Sequence, residues 1–190
     1  MSRTGLRVLV LLSMGLWTDA FGGGGSQVDD VNNDCGHVSG NSLSACTRCG
    51  PYGGDGGSAF ADDFNAHGGV HYIGGAGSGG SWFGTSTLRA LKFTYHDGFT
   101  SYHGDSGAMS TLTTWEVPAG EHITSIVVGH GTLVDSVQFA TSTGRHSPKW
   151  GGDGGATKTC SGASLTEVSG RGAAKIDQLS FKWSPTPSHN

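Results

Sequence analysis

Leu88-Arg-Ala-Leu-Lys-Phe93 is the first of three copies of one six-residue pattern, which returns as Val134-Asp-Ser-Val-Gln-Phe139 and as Ile176-Asp-Gln-Leu-Ser-Phe181. Each copy has apolar residues at positions 1, 4 and 6, in runs whose composition is typical of β-strands. The copies are 46 and 42 residues apart. A recurrence at this period indicates a structural repeat rather than a chance similarity between short strands.

Glycine-rich turns recur in step with this pattern. They are Gly53-Gly-Asp-Gly-Gly57, Gly104-Asp-Ser-Gly107 and Gly151-Gly-Asp-Gly-Gly155. Three units of about 45 residues, each with one such turn and one recurrent strand, predict an architecture with pseudo-threefold symmetry.

The composition also favours β-structure. The chain has 190 residues, of which 35 are glycine and 14% are charged, and its formal net charge is −4 at pH 7. Because glycine destabilises helices and no stretch has a sustained helical period, we predict one all-β domain of short strands. The glycines follow no three-residue period, which excludes collagen. No basic stripe is present that would bind nucleic acid.

The first twenty residues are typical of a secretory signal peptide. Arg3 and Arg7 supply positive charge, Val8–Trp17 is apolar, and Ala20 is a small residue where cleavage could occur. The apolar run is too short to span a bilayer, which needs about twenty residues. We therefore expect a secreted protein without membrane insertion. Its segments are the signal peptide (1–20), a glycine- and cysteine-containing arm (21–49), the folded domain (50–184) and a tail (185–190).

Four cysteines fit an oxidising compartment: Cys35, Cys46, Cys49 and Cys160. They allow three complete pairings, and their spacing does not choose between them. The C-x-x-C spacing of Cys46 and Cys49 is also compatible with a zinc site. We expect disulfides instead, with no free thiol and with one bond from the arm to Cys160.

Several longer motifs resemble the jacalin-related lectins. They are Gly50-Pro-Tyr-Gly-Gly-Asp-Gly-Gly-Ser-Ala-Phe60, the segment Gly129–Phe139, and the ending from Ser169-Gly-Arg171 to Trp183. They occur in the family's order over roughly residues 50–183. The resemblance implies a β-prism of three four-stranded antiparallel sheets, in agreement with the repeat, and a glycan-binding protein that is not an enzyme.

The resemblance also implies where a sugar would bind. In jacalin-related lectins the sugar lies between a glycine loop and a Gly-x-x-x-Asp loop, whose carboxylate accepts hydrogen bonds from neighbouring hydroxyl groups. The predicted contacts are Gly57, Ala174, Lys175 and Asp177 in a first site and Gly155, Leu133, Val134 and Asp135 in a second. Arg89 holds the equivalent position in the remaining unit, and because a guanidinium group cannot accept a hydrogen bond, we expect no site there. The alternative is that both aspartates only cap turns.

The expected ligand is a glycan of the mannose or glucose type. Galactose-binding members of the family carry a free amino group near the first glycine loop, whereas here Gly50 continues from an upstream arm. No acidic cluster resembles a calcium site, so we expect neither a metal ion nor another cofactor. Assembly into a homo-oligomer stays open.

Other functions fit the sequence less well. Gly104-Asp-Ser-Gly107 resembles the nucleophile segment of serine proteases, but it falls on a predicted turn and the matching histidine signature is missing. His67, His71, His96 and His103 form no i, i+4 or His-x-His grouping on a predicted element, and we expect them at the surface or in turns. A secreted glycine-rich structural or adhesive module is the second alternative, and the retention of Asp135 and Asp177 argues against it.

Overall fold

The computed structural model of the protein describes residues 48–77 and 86–184. Within these ranges the chain forms twelve β-strands and two short 3-10 helices, Asn65–His67 and Ser106–Thr111. The strands are β1 (Arg48–Gly53), β2 (Ser58–Asp63), β3 (Val70–Gly77), β4 (Leu88–Tyr95), β5 (Thr100–Gly104), β6 (Thr113–Glu116), β7 (Ile123–His130), β8 (Val134–Thr141), β9 (Trp150–Gly151), β10 (Ala156–Ser161), β11 (Ser164–Gly172) and β12 (Ile176–Ser184). None of the helices in the described part could cross a membrane.

The strands form three four-stranded antiparallel sheets that share one topology. Their strand orders are β1-β12-β11-β2, β5-β4-β3-β6 and β9-β8-β7-β10. In each sheet a hairpin of two long strands lies in the centre, and two shorter strands pair with its outer edges. This arrangement confirms the predicted all-β fold with pseudo-threefold symmetry. The first sheet combines the beginning and the end of the described chain.

The three copies of the six-residue pattern are β4, β8 and β12, the inner strands of the three sheets. Their side chains at positions 1, 4 and 6 are at most 1% exposed and form the centre of one hydrophobic core. Phe93 and Phe139, from different sheets, meet there edge to face at a ring distance of 6.5 Å. Burial of each such side chain contributes roughly 1.5–3 kcal/mol, so the repeat supplies the packing that holds the sheets together.

A β-bulge at the start of each inner strand explains the spacing of its apolar residues. In the second unit Gly129 pairs with Ser136 and His130 with Val134, which leaves Asp135 as the extra residue. An extra residue allows positions 1 and 4 to face the same core, and it turns position 2 out of the ladder. The bulged residues of the other two units are Asp177 and Arg89.

One disulfide joins two of the sheets. Cys49 in β1 bonds to Cys160 in β10, 111 residues further along the chain, at a Cα–Cα distance of 6.2 Å. The indole Nε1 of Trp183 donates a hydrogen bond to the Cys160 sulfur over 3.0 Å. The disulfide confirms the predicted bond from the N-terminal arm to Cys160. Cys35 and Cys46 lie outside the described residues, so their pairing stays a prediction.

Candidate functional site

Each of the three glycine turns is tied to the bulged residue of its own sheet. The N–H groups of Gly54, Gly152 and Asp105 donate to the carbonyl oxygens of Asp177, Asp135 and Arg89 over 2.9, 2.9 and 3.0 Å. The glycine before each donor, at positions 53, 151 and 104, has a φ of 105°, 103° and 93°. A Cβ at any of them would collide with the same carbonyl group. Only glycine therefore lets the turn approach the bulge so closely.

The first site, called the Asp177 site here, consists of the turn Gly53–Gly57 and the loop Ala173–Asp177. A Cβ added to Gly56 would lie 2.5 Å from Asp177 Oδ1, and one added to Gly57 would lie 2.7 Å from Oδ2. Both carboxylate oxygens thus face the glycine turn. Ala174 and Lys175 are exposed at the tip of the facing loop, which a hydrogen bond from Ala173 N–H to the Lys175 carbonyl closes over 2.9 Å. The four predicted residues lie in these two facing segments.

The second site, called the Asp135 site, repeats this construction with the turn Gly151–Gly155 and the loop Gly131–Asp135. A Cβ added to Gly154 would lie 3.0 Å from Asp135 Oδ1, and one added to Gly155 would collide with Oδ2. The loop is closed by the same hydrogen bond, from Gly131 N–H to the Leu133 carbonyl over 2.9 Å. Asp135 is 8% exposed. Burial raises the pKa of its carboxyl, and the charge of His130 acts in the opposite direction.

The bulges also show which loop residues are equivalent in the two sites. Counting back from the aspartate, Leu133 matches Lys175 and Thr132 matches Ala174, whereas Val134 matches Ile176. The Val134 side chain is fully buried in the core, so only its backbone could meet a ligand. Thr132 is exposed. Sequence reasoning missed this threonine, although counting from the aspartate in both loops would have indicated it.

At the third position the aspartate is replaced by Arg89, whose guanidinium group forms an ion pair with Asp105 in the adjacent turn. The Asp105 carboxylate also accepts a hydrogen bond of 2.8 Å from Gly107 N–H and so caps the 3-10 helix Ser106–Thr111. The hydroxyl of Tyr102 donates to the Asp105 carbonyl group. Gly104-Asp-Ser-Gly107 is thus the third turn of the repeat, and an internal ion pair fills the place that a carboxylate has in the other units.

Two further side chains hold the glycine turn of the Asp177 site, and sequence reasoning missed both. Arg171 donates from Nε to the Gly56 carbonyl over 3.0 Å and from Nη2 to the Gly57 carbonyl over 2.8 Å. Gln178 donates from Nε2 to the Gly54 carbonyl over 3.3 Å and to Asp55 Oδ1 over 3.2 Å. Only the tertiary fold brings these residues to the turn, which lies more than a hundred positions earlier in the chain.

Three of the four histidines singled out from the sequence, His67, His71 and His103, each contact one carboxylate. His67 contacts Asp97 over 2.7 Å and lowers the pKa of that carboxyl. The nearest ring nitrogen of His103 lies 2.5 Å from Asp62, in a contact that links β5 to β2. Within residues 48–77 and 86–184, no three histidine, cysteine or acidic side chains are grouped so that they could hold a metal ion.

Comparisons with known proteins agree with the fold. The model of the Jacalin-like lectin domain matches residues 49–182. Similar solved structures include Malaysian banana lectin, with 19% identity and a TM-score of 0.58 over 70% of this chain and 94% of the lectin. The mannose-binding lectin from Champedak has 18% identity and a TM-score of 0.57, with coverages of 74% and 98%. A prostate-specific WGA16 glycoprotein lectin has 20% identity and a TM-score of 0.59, with coverages of 74% and 99%. A comparison with curated proteins finds no match.

Proposed function

The chain belongs to the jacalin-like lectin family, and on this premise we propose that it is a secreted lectin that binds mannose- or glucose-type glycans without a metal ion. The observation that carries the proposal is the pairing of an aspartate carboxylate with a glycine turn, which the fold makes twice. Among the structures with the same fold are a mannose-binding lectin from Champedak and an artocarpin–mannotriose complex.

The chemistry of these pairs suits a hexose. Neighbouring sugar hydroxyl groups both donate and accept hydrogen bonds, so a site needs acceptors and donors side by side. The Asp177 carboxylate supplies two strong acceptors, and a turn without side chains lets a sugar approach backbone N–H donors. A carboxylate that accepts from hydroxyl groups needs no bridging cation. Both sites therefore have the chemistry to bind sugar directly.

The two sites lie next to each other. A Cβ added to Gly54, in the turn of the Asp177 site, would lie 2.6 Å from the carbonyl oxygen of Thr132, in the loop of the Asp135 site. Two adjacent sites on one rigid body strengthen the binding of branched glycans when the spacing lets both engage. We therefore expect branched glycans to be the preferred ligands.

Secretion is part of the same proposal. The buried disulfide between Cys49 and Cys160 supports it, because such bonds persist in oxidising compartments. Expression of the full chain in a secreting host tests it. Mass spectrometry of the exported protein is expected to show cleavage after Ala20, and retention of the intact chain inside the cell would contradict it.

Sugar titration of the oxidised protein tests the binding function. With methyl α-mannoside we expect millimolar dissociation constants, or about −4 kcal/mol per site, a stoichiometry near two, and no change when EDTA is added. An Asp135→Asn, Asp177→Asn double variant is the matched control and should not bind. A glycan array on which the folded protein binds no saccharide would favour the structural or adhesive module instead.

A further inference from the structure

The two proposed sites have identical glycine turns that are held differently. Both turns read Gly-Gly-Asp-Gly-Gly, so any difference between them comes from the residues around them. In the Asp177 site, four hydrogen bonds from Arg171 and Gln178 reach four of the five turn residues. In the other turn, Lys149 Nζ contacts Asp153 Oδ1 over 2.5 Å, and the Asp153 side chain is 97% exposed.

The sheet register shows what replaces Arg171 and Gln178 in the Asp135 site. Arg171 pairs with Gln178 one step before the bulge, and the equivalent pair is Gly129 with Ser136. A Cβ on Gly129 would lie 3.4 Å from the Gly154 carbonyl oxygen, the counterpart of the carbonyl that Arg171 binds at Gly56. The position of the guanidinium group is therefore next to the turn in both sites, but Gly129 has no side chain that could donate from there to the turn of the Asp135 site.

The bonds from Arg171 also orient the donors that would meet a sugar. The carbonyl of Gly56 and the N–H of Gly57 belong to one planar trans peptide and point in opposite directions. A Gly56 carbonyl that is held toward Arg171 keeps the Gly57 N–H turned away from it. A glycine-rich turn has the largest conformational entropy to lose on binding, so a turn that is already held loses less.

We propose that Arg171 is a positioning residue for the glycine turn of the Asp177 site, and that it makes this site the tighter of the two. This inference rests on the proposed sugar-binding function and adds a difference between its two sites. Arg171 acts through the turn and does not itself touch the sugar.

Nuclear magnetic resonance titration of the ¹⁵N-labelled, oxidised full chain tests the inference, because the amides of Gly57 and Gly155 report separately on the two sites. With methyl α-mannoside as the probe, the unmodified protein should saturate earlier at Gly57 than at Gly155. Arg171→Met keeps the apolar stem but removes the donors, and it should weaken binding at Gly57 about tenfold. Arg171→Lys restores one donor and should give an intermediate value. Binding at Gly155 should not change.

Two controls separate positioning from a general loss of structure. Lys149→Met removes the exposed contact of the other turn and should change binding at Gly155 less than about twofold. In Arg171→Met the fast motion of the Gly56 and Gly57 amides should increase while the melting temperature stays near that of the unmodified protein. Equal affinities at Gly57 and Gly155 in the unmodified protein, or parallel weakening of both in Arg171→Met, would overturn the role of Arg171 and leave the lectin function standing. If neither amide responds to the sugar, the lectin function itself is lost, and this inference with it.

Discussion

The Asp135 site and the Arg89 position have the same backbone and opposite chemistry. In both, a bulged residue accepts a hydrogen bond from a turn N–H through its carbonyl group, and a glycine with positive φ precedes that N–H. In the Asp135 site the bulged side chain is a carboxylate that faces the glycine turn. In the other it is a guanidinium group that forms an ion pair with the turn itself. The comparison teaches that the bulge builds the same backbone position in each sheet, and that the residue on it determines whether a carboxylate acceptor faces the turn.

The third turn also differs from the other two in its burial. By position along the turn, Ala108 corresponds to Gly155, and Ala108 is buried beside Ala76 and Ala90. The third turn has thus become part of a small apolar cluster and is covered by its own 3-10 helix. In the other two turns the equivalent residues, Gly57 and Gly155, are exposed.

The largest expected effect comes from Gly155→Ala, which copies the third turn into the second. Gly155 has a φ of 70°, and a Cβ would collide with the His130 carbonyl and the Asp135 carboxylate. We expect loss of sugar binding at this site and a decrease in the free energy of unfolding of roughly 2–4 kcal/mol. Gly120→Ala is the matched control, because Gly120 has a φ of 80° with no atom within 4 Å of an added Cβ. Urea unfolding should show only about 1–2 kcal/mol of strain there, and equal losses in both variants would contradict the collision.

The next effect is confined to sugar binding. Asp177→Asn and Asp135→Asn keep the side-chain volume but remove the charge from the acceptor, which should cost roughly 1.5–3 kcal/mol at the altered site. Calorimetry with methyl α-mannoside should give a stoichiometry that falls from near two to near one in each variant. A stoichiometry of one in the unmodified protein, unchanged by Asp135→Asn, would show that the Asp135 loop is only a turn.

A smaller effect is expected when the ion pair of the third position is removed. Arg89→Met leaves Asp105, whose side chain is 20% exposed, without its cation. The free energy of unfolding should fall by about 1–2 kcal/mol, less in high salt, while both sugar sites keep their affinities. A loss of sugar binding in this variant would mean that the third position is coupled to the other two.

The smallest effect is a shift with pH at the Asp135 site. Burial raises the pKa of Asp135, so as the pH falls this carboxyl is protonated earlier than one with an ordinary pKa, and its site should lose sugar at a correspondingly higher pH. For folding stability the raised pKa has the opposite consequence, because protonation of Asp135 favours the folded state. Because the pKa is higher in the folded state than in the unfolded state, ionised Asp135 destabilises the fold at neutral pH. Asp135→Asn should therefore leave the melting temperature at pH 7 unchanged or slightly raised, and a clear decrease would contradict the burial effect.

The fold could be predicted from the sequence because one local feature, the six-residue pattern of the inner strands, occurs three times. Because of the bulge, the core-facing residues Leu88 and Leu91 are three positions apart, and the later copies have the same spacing. The glycine turns add a second signal, because a positive φ and close packing leave little choice of residue. Both signals are local, and a single sequence contains them in full.

The details of the site could be predicted only in part. The absence of an acceptor at Arg89 followed from the residue type alone, but its ion pair with Asp105 depends on how β4 and β5 meet. Arg171 reaches Gly56 across 115 positions of the chain, and no local pattern indicates such a contact. The bulge also turns the side chain of Val134, a predicted sugar contact, into the core.

The sheet that carries the Asp177 site contains both ends of the described chain, since Arg48 in β1 pairs with Lys182 in β12. A protein is synthesised from its amino terminus, so β1 and β2 are made long before β12 and β11, the strands with which they pair. The other two sheets have all their strands once Ser161 has been added. A nascent or truncated chain that ends before Ile176 can therefore assemble two sheets while the edges of β1 and β2 stay open to aggregation. The turn Gly53–Gly57 and the carboxylate of Asp177 thus come together only after β12 has been made.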